Sequence, residues 1–482
     1  MLFNSIDFAF FLPIVFILYW FVFNKSLKAQ NAFLLLCSYI FYGWWDVRFL
    51  SLIAFSSLVD YSIGRKLSHT EAEGKRKILL FLSLAINLGF LGVFKYYNFF
   101  AESFADAFSL MGKNIDAARL NIILPVGISF YTFQTLSYSI DVYRRKLQPS
   151  SDIISFFTFV SFFPQLVAGP IERATNLLPQ FERNRQFDYA KAVDGMRQIL
   201  WGLFKKIVIA DNCAMLVNDI FANYTEYSGS TLLLGAFFFA FQIYGDFSGY
   251  SDIAIGCARL FGFNFMRNFA FPYFSRDIAE FWRRWHISLS TWFRDYLYIP
   301  LGGSKGGSYM KLKNTFIIFI VSGFWHGANW TFVVWGFLNA LFFLPLLLAA
   351  SNRNNIDTLA KGKLLPSFKE LLGVVSTFAL TLLAWIFFRA ADISTAFAYI
   401  DGIFSKSFFS IPEIDIKTLV FVLIHIVLLL MVEWLQREKE HGLEFKNLSI
   451  PKPFRWSMYI MLSFYLLTFG IFEETEFIYF AF

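Results

Sequence analysis

Long apolar runs recur along the whole of this 482-residue chain and leave little room for a soluble fold. A helix needs about 20 apolar residues to cross a bilayer core of about 30 Å. Runs of this length or somewhat shorter lie near residues 2–23, 31–45, 49–63, 78–94, 120–140, 153–168, 195–217, 231–245, 315–350, 371–390, 417–435 and 456–472. They predict an all-α, polytopic integral membrane protein with about 11–13 spanning or re-entrant helices, forming one transmembrane domain over residues 1–482.

The charge content agrees with this class and narrows the partners. Charged residues make up 16% of the chain, against about a quarter in ordinary globular proteins. The net charge is +7, and the basic residues sit in short loops between apolar runs. We therefore expect membrane lipid and acidic substrates as partners, and no nucleic acid. The scattered Cys37, Cys213 and Cys257 indicate neither a disulfide framework nor a metal site.

Loop charges predict the orientation, because cytoplasmic loops carry an excess of Lys and Arg. Arg65, Lys66 and the basic residues 75–77 mark the loop after the third run as cytoplasmic, which places the N-terminus outside. The first run, residues 1–23, lacks a basic n-region and a small-residue cleavage site, so we expect a retained span. The acidic tail, with Glu473, Glu474 and Glu476, fits the outside.

The residue with the most unusual surroundings is His326, inside residues 322–330 (SGFWHGANW). The run 315–350 contains no Asp, Glu, Lys or Arg, and an ionisable group at membrane depth is a functional-site hypothesis by default. A histidine with a proton-transfer role and a histidine hydrogen-bonded inside a helix bundle both fit. As helical neighbours at i−4 and i+3, Ser322 and Asn329 would orient the ring, with Trp325 beside it.

The 36-residue length of this run limits its shape. A single helix would be about 54 Å long, so the run must tilt steeply, kink or turn back. His326 lies 11 residues from the start of the run, roughly 17 Å in, close to half a bilayer.

A second group of polar residues lies in residues 281–296 (FWRRWHISLSTWFRDY), whose pattern predicts an amphipathic helix. Arg283, His286, Ser290 and Arg294 would share one stripe. One reading is an interfacial helix with snorkelling arginines. The other places Arg283, Arg284 and Arg294 at the phosphates of a cytosolic donor, with His286 as a second histidine in the reaction cavity.

Two further motifs carry polar groups. Residues 244–252 (YGDFSGYSD) contain Asp246 and Asp252. These carboxylates either cap a helix break or pair with a buried Arg or His. Residues 302–307 (GGSKGG) match G-x-S-x-G, but no strand and helix frame them, so they predict a turn and no serine nucleophile. His425 has no polar neighbours in sequence, and we expect it to be structural.

Taken together, these segments resemble the membrane-bound O-acyltransferase (MBOAT) family, most closely its bacterial alginate O-acetylation and peptidoglycan O-acetylation branch. The matching stretches are residues 124–130 (LPVGISF), 138–144 (YSIDVYR), 168–173 (AGPIER), 246–252 (DFSGYSD), 282–290 (WRRWHISLS), 296–303 (YLYIPLGG) and 324–330 (FWHGANW). The resemblance implies that His326 is the catalytic histidine and His286 a second cavity-lining position. It also implies a helix bundle around a central cavity, with a cytoplasmic donor channel.

The expected activity follows from this resemblance together with the histidine chemistry. We expect His326 to act as general base on an acceptor hydroxyl that attacks an acyl thioester, most simply acetyl-CoA, with no permanently bound cofactor and no metal. The expected product is an O-acetylated extracytoplasmic polysaccharide, alginate-like or peptidoglycan. We further expect a location in the bacterial inner membrane and an extracytoplasmic acetyltransferase partner.

Two alternatives remain open. One is D-alanyl transfer to teichoic acid, whose branch resembles the chain at both histidines. The apolar runs after residue 371 and the closing residues 477–482 (FIYFAF) favour the polysaccharide branch over it. The other is a proton-coupled transporter with His326 as a relay.

Overall fold

The computed structural model describes residues 1–445, 451–472 and 477–478. Within these ranges the chain is helical and contains no β-strand, which confirms the all-α prediction. The acidic residues of the tail and most of the closing apolar residues lie outside the described ranges: Glu473, Glu474, Glu476 and residues 479–482. The predicted orientation across the membrane stays a prediction.

Six helical segments in the described ranges are long and apolar enough to cross a membrane, so the protein is a multi-pass membrane protein. They are Val47–Ser68, Glu73–Leu110, Gly229–Leu260, Trp330–Leu348, Phe368–Arg389 and Ile416–Leu435. Two shorter apolar helices are Ile6–Val22 and Ile393–Ile403. Beyond these segments, the predicted total of about 11–13, which includes re-entrant helices, stays a prediction.

The chain divides into two compact units. The first combines Met1–Ala192 with Cys257–Met266, and the second combines Val193–Gly256 with the chain from Arg267 onward. Whether these form the single transmembrane domain predicted over residues 1–482 stays a prediction.

The first unit is built from nine helices. They are α1 (Ile6–Ile17), α2 (Leu27–Gly43), α3 (Leu50–Ser68), α4 (Glu73–Leu91), α5 (Tyr97–Leu110), α6 (Ile128–Tyr143), α7 (Ile153–Ser161), α8 (Phe163–Leu166) and α9 (Ala174–Phe181). Several begin where a side-chain oxygen caps the first turn: Ser5 accepts from the N–H of Phe8, and Asp152 from those of Ile154 and Ser155.

A buried carboxylate joins three helices of the first unit. Asp60 on α3 accepts hydrogen bonds from Ser83 (2.5 Å) and Asn87 (2.8 Å) on α4 and from Ser139 (2.9 Å) on α6. In an apolar bundle such polar contacts between helices favour one arrangement, because each group would otherwise be buried without a partner.

The remaining helices belong mainly to the second unit, and α10 and α12 contribute to both. They are α10 (Tyr189–Leu203), α11 (Asp211–Ala222), α12 (Gly229–Leu260), α13 (Ile278–Arg284), α14 (Ile287–Phe293), α15 (Gly307–His326), α16 (Trp330–Leu348), α17 (Phe368–Arg389), α18 (Ile393–Ile403), α19 (Ile416–Leu435) and α20 (Lys452–Phe469). A π-helical stretch, Phe204–Ala210, joins α10 to α11.

The long run 315–350 turns back on itself, one of the three shapes that its length allows. The helices α15 and α16 form a hairpin whose backbones come very close. A Cβ on Gly323 would lie 2.1 Å from the carbonyl oxygen of Phe332, and one on Gly336 would lie 2.3 Å from that of Phe319. Only glycine fits at these two contacts, and the close approach fixes the end of α15, where His326 lies.

Candidate active site

His326 is the last residue of α15, and the chain reverses over the next three residues. Gly327 is extended (φ −158°) and ends the helix. Asn329 then caps α16, since its Oδ1 accepts from the N–H of Thr331 at 3.0 Å. The helix α15 begins at Gly307, eight residues before the apolar run. His326 therefore lies about 28 Å from the start of the helix and roughly 17 Å from the start of the run.

The imidazole of His326 is buried among aromatic rings, with 2% of the residue exposed. Its centroid lies 5.0 Å from the ring of Trp325, 5.1 Å from Trp335 on α16 and 5.4 Å from Phe388 on α17. Most of these pairs meet edge to face, an arrangement that favours a fixed ring orientation. Three helices therefore hold this histidine in place.

His286 lies beside His326, with ring centroids 6.3 Å apart. The structure thus brings the two candidate histidines together. The way it does so differs from the prediction: residues 281–296 do not form one amphipathic helix. The chain breaks between α13 and α14, where Trp285 is extended and His286 adopts a left-handed conformation (φ +43°).

The break has a physical cause in Asn268, which the sequence argument missed. Its carbonyl accepts the N–H of Ile287 at 2.9 Å, and its side-chain Oδ1 accepts from Ser288 N–H at 3.3 Å and Oγ at 2.9 Å. Its Nδ2 donates to Ser251 on α12 at 3.0 Å. These bonds hold His286 in its left-handed conformation. L-residues rarely adopt this conformation, which costs about 1–3 kcal/mol.

Asn268 also sets the protonation pattern of His286. The same Oδ1 lies 3.1 Å from Nδ1 of the imidazole. Because the backbone N–H of Ser288 identifies this amide atom as an acceptor, Nδ1 must carry the hydrogen. Nε2 is then a lone-pair acceptor, and it has no hydrogen-bond partner among the described residues.

Burial reinforces the neutral form of His286, which lies outside the six candidate spans. The residue is 1% exposed, and this desolvation lowers the pKa of His286 to about 3. The imidazole is therefore uncharged near neutral pH and presents a buried, unused acceptor on the side away from Asn268.

The two helical neighbours predicted to orient His326 have different surroundings. Ser322 lies one turn earlier on α15 and lines a cavity. Asn329 is not a helical neighbour, because α15 ends before it; its Nδ2 donates to the carbonyl oxygen of Ala391 at 2.8 Å. Of these two residues, only Ser322 is placed as expected.

A cavity of about 530 Å³ adjoins α14, α15 and α16. Apolar side chains form much of its wall, with three cationic side chains and several hydroxyl groups. Its lining includes Trp282, Ser290, Arg294, Lys311, Ser322 and Arg353. Lys311 and Arg353 were missed by the sequence argument, because they lie in loops or helix ends whose basic residues read as membrane-flanking charges.

The three predicted donor-binding arginines are not equivalent. Arg283 donates to the carbonyl oxygens of Asn352 (2.8 Å) and Asn355 (2.7 Å), and so holds the loop that carries Arg353. Arg284 pairs with Glu280 at 2.8 Å. Arg294 pairs with Asp295 at 2.7 Å and lines the cavity. The donor-binding role of all three stays a prediction, and the geometry favours Arg294.

Asp246 and Asp252 both pair with buried lysines, and Asp252 also interacts electrostatically with Arg267. Asp246 lies 2.8 Å from Nζ of Lys206, and Asp252 lies 2.6 Å from Nζ of Lys205. The alternative of a helix break is wrong, because α12 continues through both residues. Their supporting role near the site stays a prediction.

Residues 302–307, which match G-x-S-x-G, form a turn, as predicted: four of their glycines have positive φ. His425 bonds through Nδ1 to the carbonyl oxygen of Phe421 on its own helix at 2.6 Å. No cluster of three or more metal-ligating side chains occurs in the described ranges.

Comparison with known proteins identifies the class that this fold and histidine pair define. Residues 135–383 match the model of the membrane-bound O-acyltransferase family. A protein named "Probable alginate O-acetylase AlgI" from Pseudomonas aeruginosa is 38% identical over 86% of this chain and 77% of its own length. The chain belongs to the MBOAT family, and it is an acyltransferase.

Two other relatives differ in the reaction that their names state. The peptidoglycan O-acetyltransferase of Helicobacter pylori is 35% identical over 83% of this chain and 79% of its own length. The teichoic acid D-alanyltransferase of Streptococcus thermophilus is 30% identical over 55% of this chain and 68% of its own length. Membership in an enzyme family favours catalysis over the transporter alternative.

Proposed function

We propose that this protein transfers an acetyl group from a cytosolic thioester, most simply acetyl-CoA, to a hydroxyl acceptor. The acetyl group serves O-acetylation of an extracytoplasmic polysaccharide such as alginate or peptidoglycan. The observation that carries the proposal is the buried pair His286 and His326, with ring centroids 6.3 Å apart. A cavity bordered by cations reaches Ser322, one turn before His326 on α15, although neither histidine belongs to its lining.

In the proposed reaction, His326 acts as general base. It takes the proton of the acceptor hydroxyl as that oxygen attacks the thioester carbonyl carbon. The tetrahedral intermediate collapses, the carbon–sulfur bond breaks, and the proton held by His326 neutralises the departing thiolate. The aromatic rings around His326 keep water away from the thioester, which limits hydrolysis.

His286 contributes a neutral hydrogen-bond acceptor next to His326. Since Nδ1 is occupied by Asn268 at 3.1 Å, only Nε2 is available to a reacting group. A lone pair at this position accepts a hydrogen bond from the acceptor hydroxyl and orients it toward His326. In this proposal His286 positions the substrate and His326 moves the proton.

The length of the cavity suits a donor whose phosphates lie far from its reacting carbonyl group. Lys311 and Ser322 both line it and lie 11 residues apart on α15, about 16 Å along the helix. Cationic side chains suit phosphates, whereas the reacting carbonyl must approach His326, one turn beyond Ser322. A thioester joined to phosphates by a long flexible arm fits this spacing better than a compact acyl phosphate.

The acceptor side of the proposal rests on the relatives' names. Alginate and peptidoglycan O-acetylation are named for the relatives matched over most of the chain, and D-alanyl transfer for one matched over 55% of it. Such polymers lie outside the cytoplasm, so we place the protein in the bacterial inner membrane. An extracytoplasmic acetyltransferase would complete the transfer to polymer.

A donor comparison with purified protein in nanodiscs tests this proposal. The protein is supplied with acetyl-CoA, with acetyl phosphate or with a D-alanyl thioester on a carrier protein, each with alginate oligosaccharide or peptidoglycan fragments as acceptor. We expect thiol release with acetyl-CoA and no reaction with acetyl phosphate, while acetylation of the polymer requires the extracytoplasmic acetyltransferase as well. Consumption of the D-alanyl thioester alone would replace the proposal by the D-alanyl alternative.

A further inference from the structure

A second cavity, in the first unit, carries a strong positive charge that the acyl transfer does not use. It measures about 570 Å³ and lies where α3 ends and α4 begins. Four basic side chains, a hydroxyl group and two apolar side chains line it: Arg65, Lys66, His69, Thr70, Lys75, Ile78 and Leu79. No carboxylate belongs to this lining.

The basic side chains of this cavity are not neutralised by the protein. Among the described residues, Arg65, Lys66 and Lys75 form no ion pair, although charges close by do. Lys77 pairs with Glu73 at 3.1 Å, and Arg145 pairs with Glu71 at 2.6 Å. Unpaired cations gathered around a cavity lower the energy of an anion placed within it.

The surface next to the cavity is apolar and exposed. On α4, Ile78 and Phe81 are 68% and 71% exposed, and Leu82 is also exposed. They belong to the candidate span Glu73–Leu110, which contains an apolar 18-residue stretch that is only 17% buried inside the protein. One end of this helix therefore offers cations and the adjoining turns offer a lipid-facing apolar surface.

We propose that this cavity binds the phosphate headgroup of an anionic phospholipid. The phosphate lies among Arg65, Lys66 and Lys75, and the acyl chains follow the exposed apolar face of α4. The shape matches a lipid better than a free anion, because Ile78 belongs both to the cavity and to that apolar face. The sequence predicts this end of the helices to be cytoplasmic, where anionic headgroups attract basic residues.

Binding of short-chain phosphatidylglycerol to the purified full-length protein tests the proposal, with phosphatidylcholine and inorganic phosphate as comparison ligands. The variant Lys66→Gln/Lys75→Gln removes two charges from the cavity. The control Lys25→Gln/Lys28→Gln removes two exposed charges from another loop that the sequence predicts to be cytoplasmic, outside the cavity. Melting temperature in phosphatidylcholine nanodiscs verifies the fold of each variant.

We expect the apparent Kd for phosphatidylglycerol to rise roughly tenfold or more in the cavity variant, and to change less than about twofold in the control. If phosphatidylglycerol binding weakens equally in both variants, or in neither, the headgroup does not bind in this cavity. Binding of inorganic phosphate as tight as that of phosphatidylglycerol would overturn the lipid assignment. If the double variant does not fold, Lys75→Gln alone supports the same comparison, because its side chain is exposed.

Discussion

The side-chain oxygen of Asn268 lies 3.1 Å from Nδ1 of His286, and this single contact decides which nitrogen of the histidine is available. The same oxygen also accepts from Ser288, so its role as acceptor is fixed. A neutral, oriented His286 next to His326 follows from an amide 18 residues earlier in the chain.

Replacing Asn268 tests this positioning role. Asn268→Ala should lower kcat by about 10- to 100-fold, because His286 loses its orientation, while the donor KM changes little. A smaller fraction of folded protein would also lower the apparent kcat at constant KM, so the folded fraction and melting temperature of the variant are measured beside its kinetics.

Asn268→Asp gives a sharper readout through pH. A carboxylate beside the imidazole favours the charged form and raises the pKa of His286 from its present value of about 3. Below the raised pKa, His286 is protonated and Nε2 is no longer an acceptor. We expect kcat to fall with decreasing pH, beginning at a higher pH than in the wild type. A profile identical to that of the wild type would contradict the role of Nε2 as the acceptor for the substrate hydroxyl.

Donor binding should depend on the cations of the 530 Å³ cavity. Arg294→Gln, Lys311→Gln and Arg353→Gln each remove one charge-assisted contact, worth about 1.5–3 kcal/mol. Each should raise the KM for acetyl-CoA roughly tenfold or more, with a smaller effect on kcat. The matched control is Lys313→Gln, on the same helix but exposed and outside the lining. If none of the three variants changes the KM for acetyl-CoA, the donor binds elsewhere.

The hairpin that carries His326 should be sensitive to a single methyl group. Gly323→Ala places a Cβ 2.1 Å from the carbonyl oxygen of Phe332, so α15 and α16 must separate. We expect a loss of roughly 1–3 kcal/mol in stability, seen as a lower melting temperature in nanodiscs, together with reduced turnover. Gly89→Ala is the control, because nothing lies within 4 Å of its added Cβ. A wild-type melting temperature for Gly323→Ala would show that α15 and α16 pack less closely than this distance implies.

Lys206 should be important for stability, since it neutralises two carboxylates inside the second unit. It lies 2.8 Å from both Asp246 and Asp211. Lys206→Met leaves these charges buried, and removing one partner of such a cluster typically costs about 3–5 kcal/mol. Thermal unfolding in nanodiscs measures the loss, with the exposed Lys77→Met as control. Unfolding at the wild-type temperature would mean that other groups hold the two carboxylates.

The sequence made parts of this site predictable and others not. His326 could be found because an ionisable residue in a charge-free run is rare. The 36-residue length of that run required a tilt, a kink or a return of the chain, without deciding among the three. The break at His286 could not be predicted from the sequence, since no Gly or Pro interrupts residues 281–296. Its cause is Asn268, whose effect arises only through tertiary hydrogen bonds.

The same limit applies to the charged groups. Sequence spacing indicated that Asp246 and Asp252 matter, but not that Lys206 and Lys205 neutralise them. It grouped Arg283, His286, Ser290 and Arg294 on one helix stripe, whereas the break between α13 and α14 separates Arg283 from the others. Helical periodicity is a local property, and a left-handed residue in the middle of the pattern invalidates it beyond that point.

The most direct test of the account is the rate of acetyl transfer by His326→Gln, compared with wild type and with His425→Gln. His425 is also a buried histidine, but its Nδ1 bonds to its own helix, so its loss controls for removing an imidazole from the protein. The variants are compared in nanodiscs with labelled acetyl-CoA after their melting temperatures show that they are folded. We predict a decrease of about 10²- to 10⁴-fold for His326→Gln and near-normal transfer for His425→Gln. Transfer by folded His326→Gln at close to the wild-type rate would contradict the assignment of His326 as the general base.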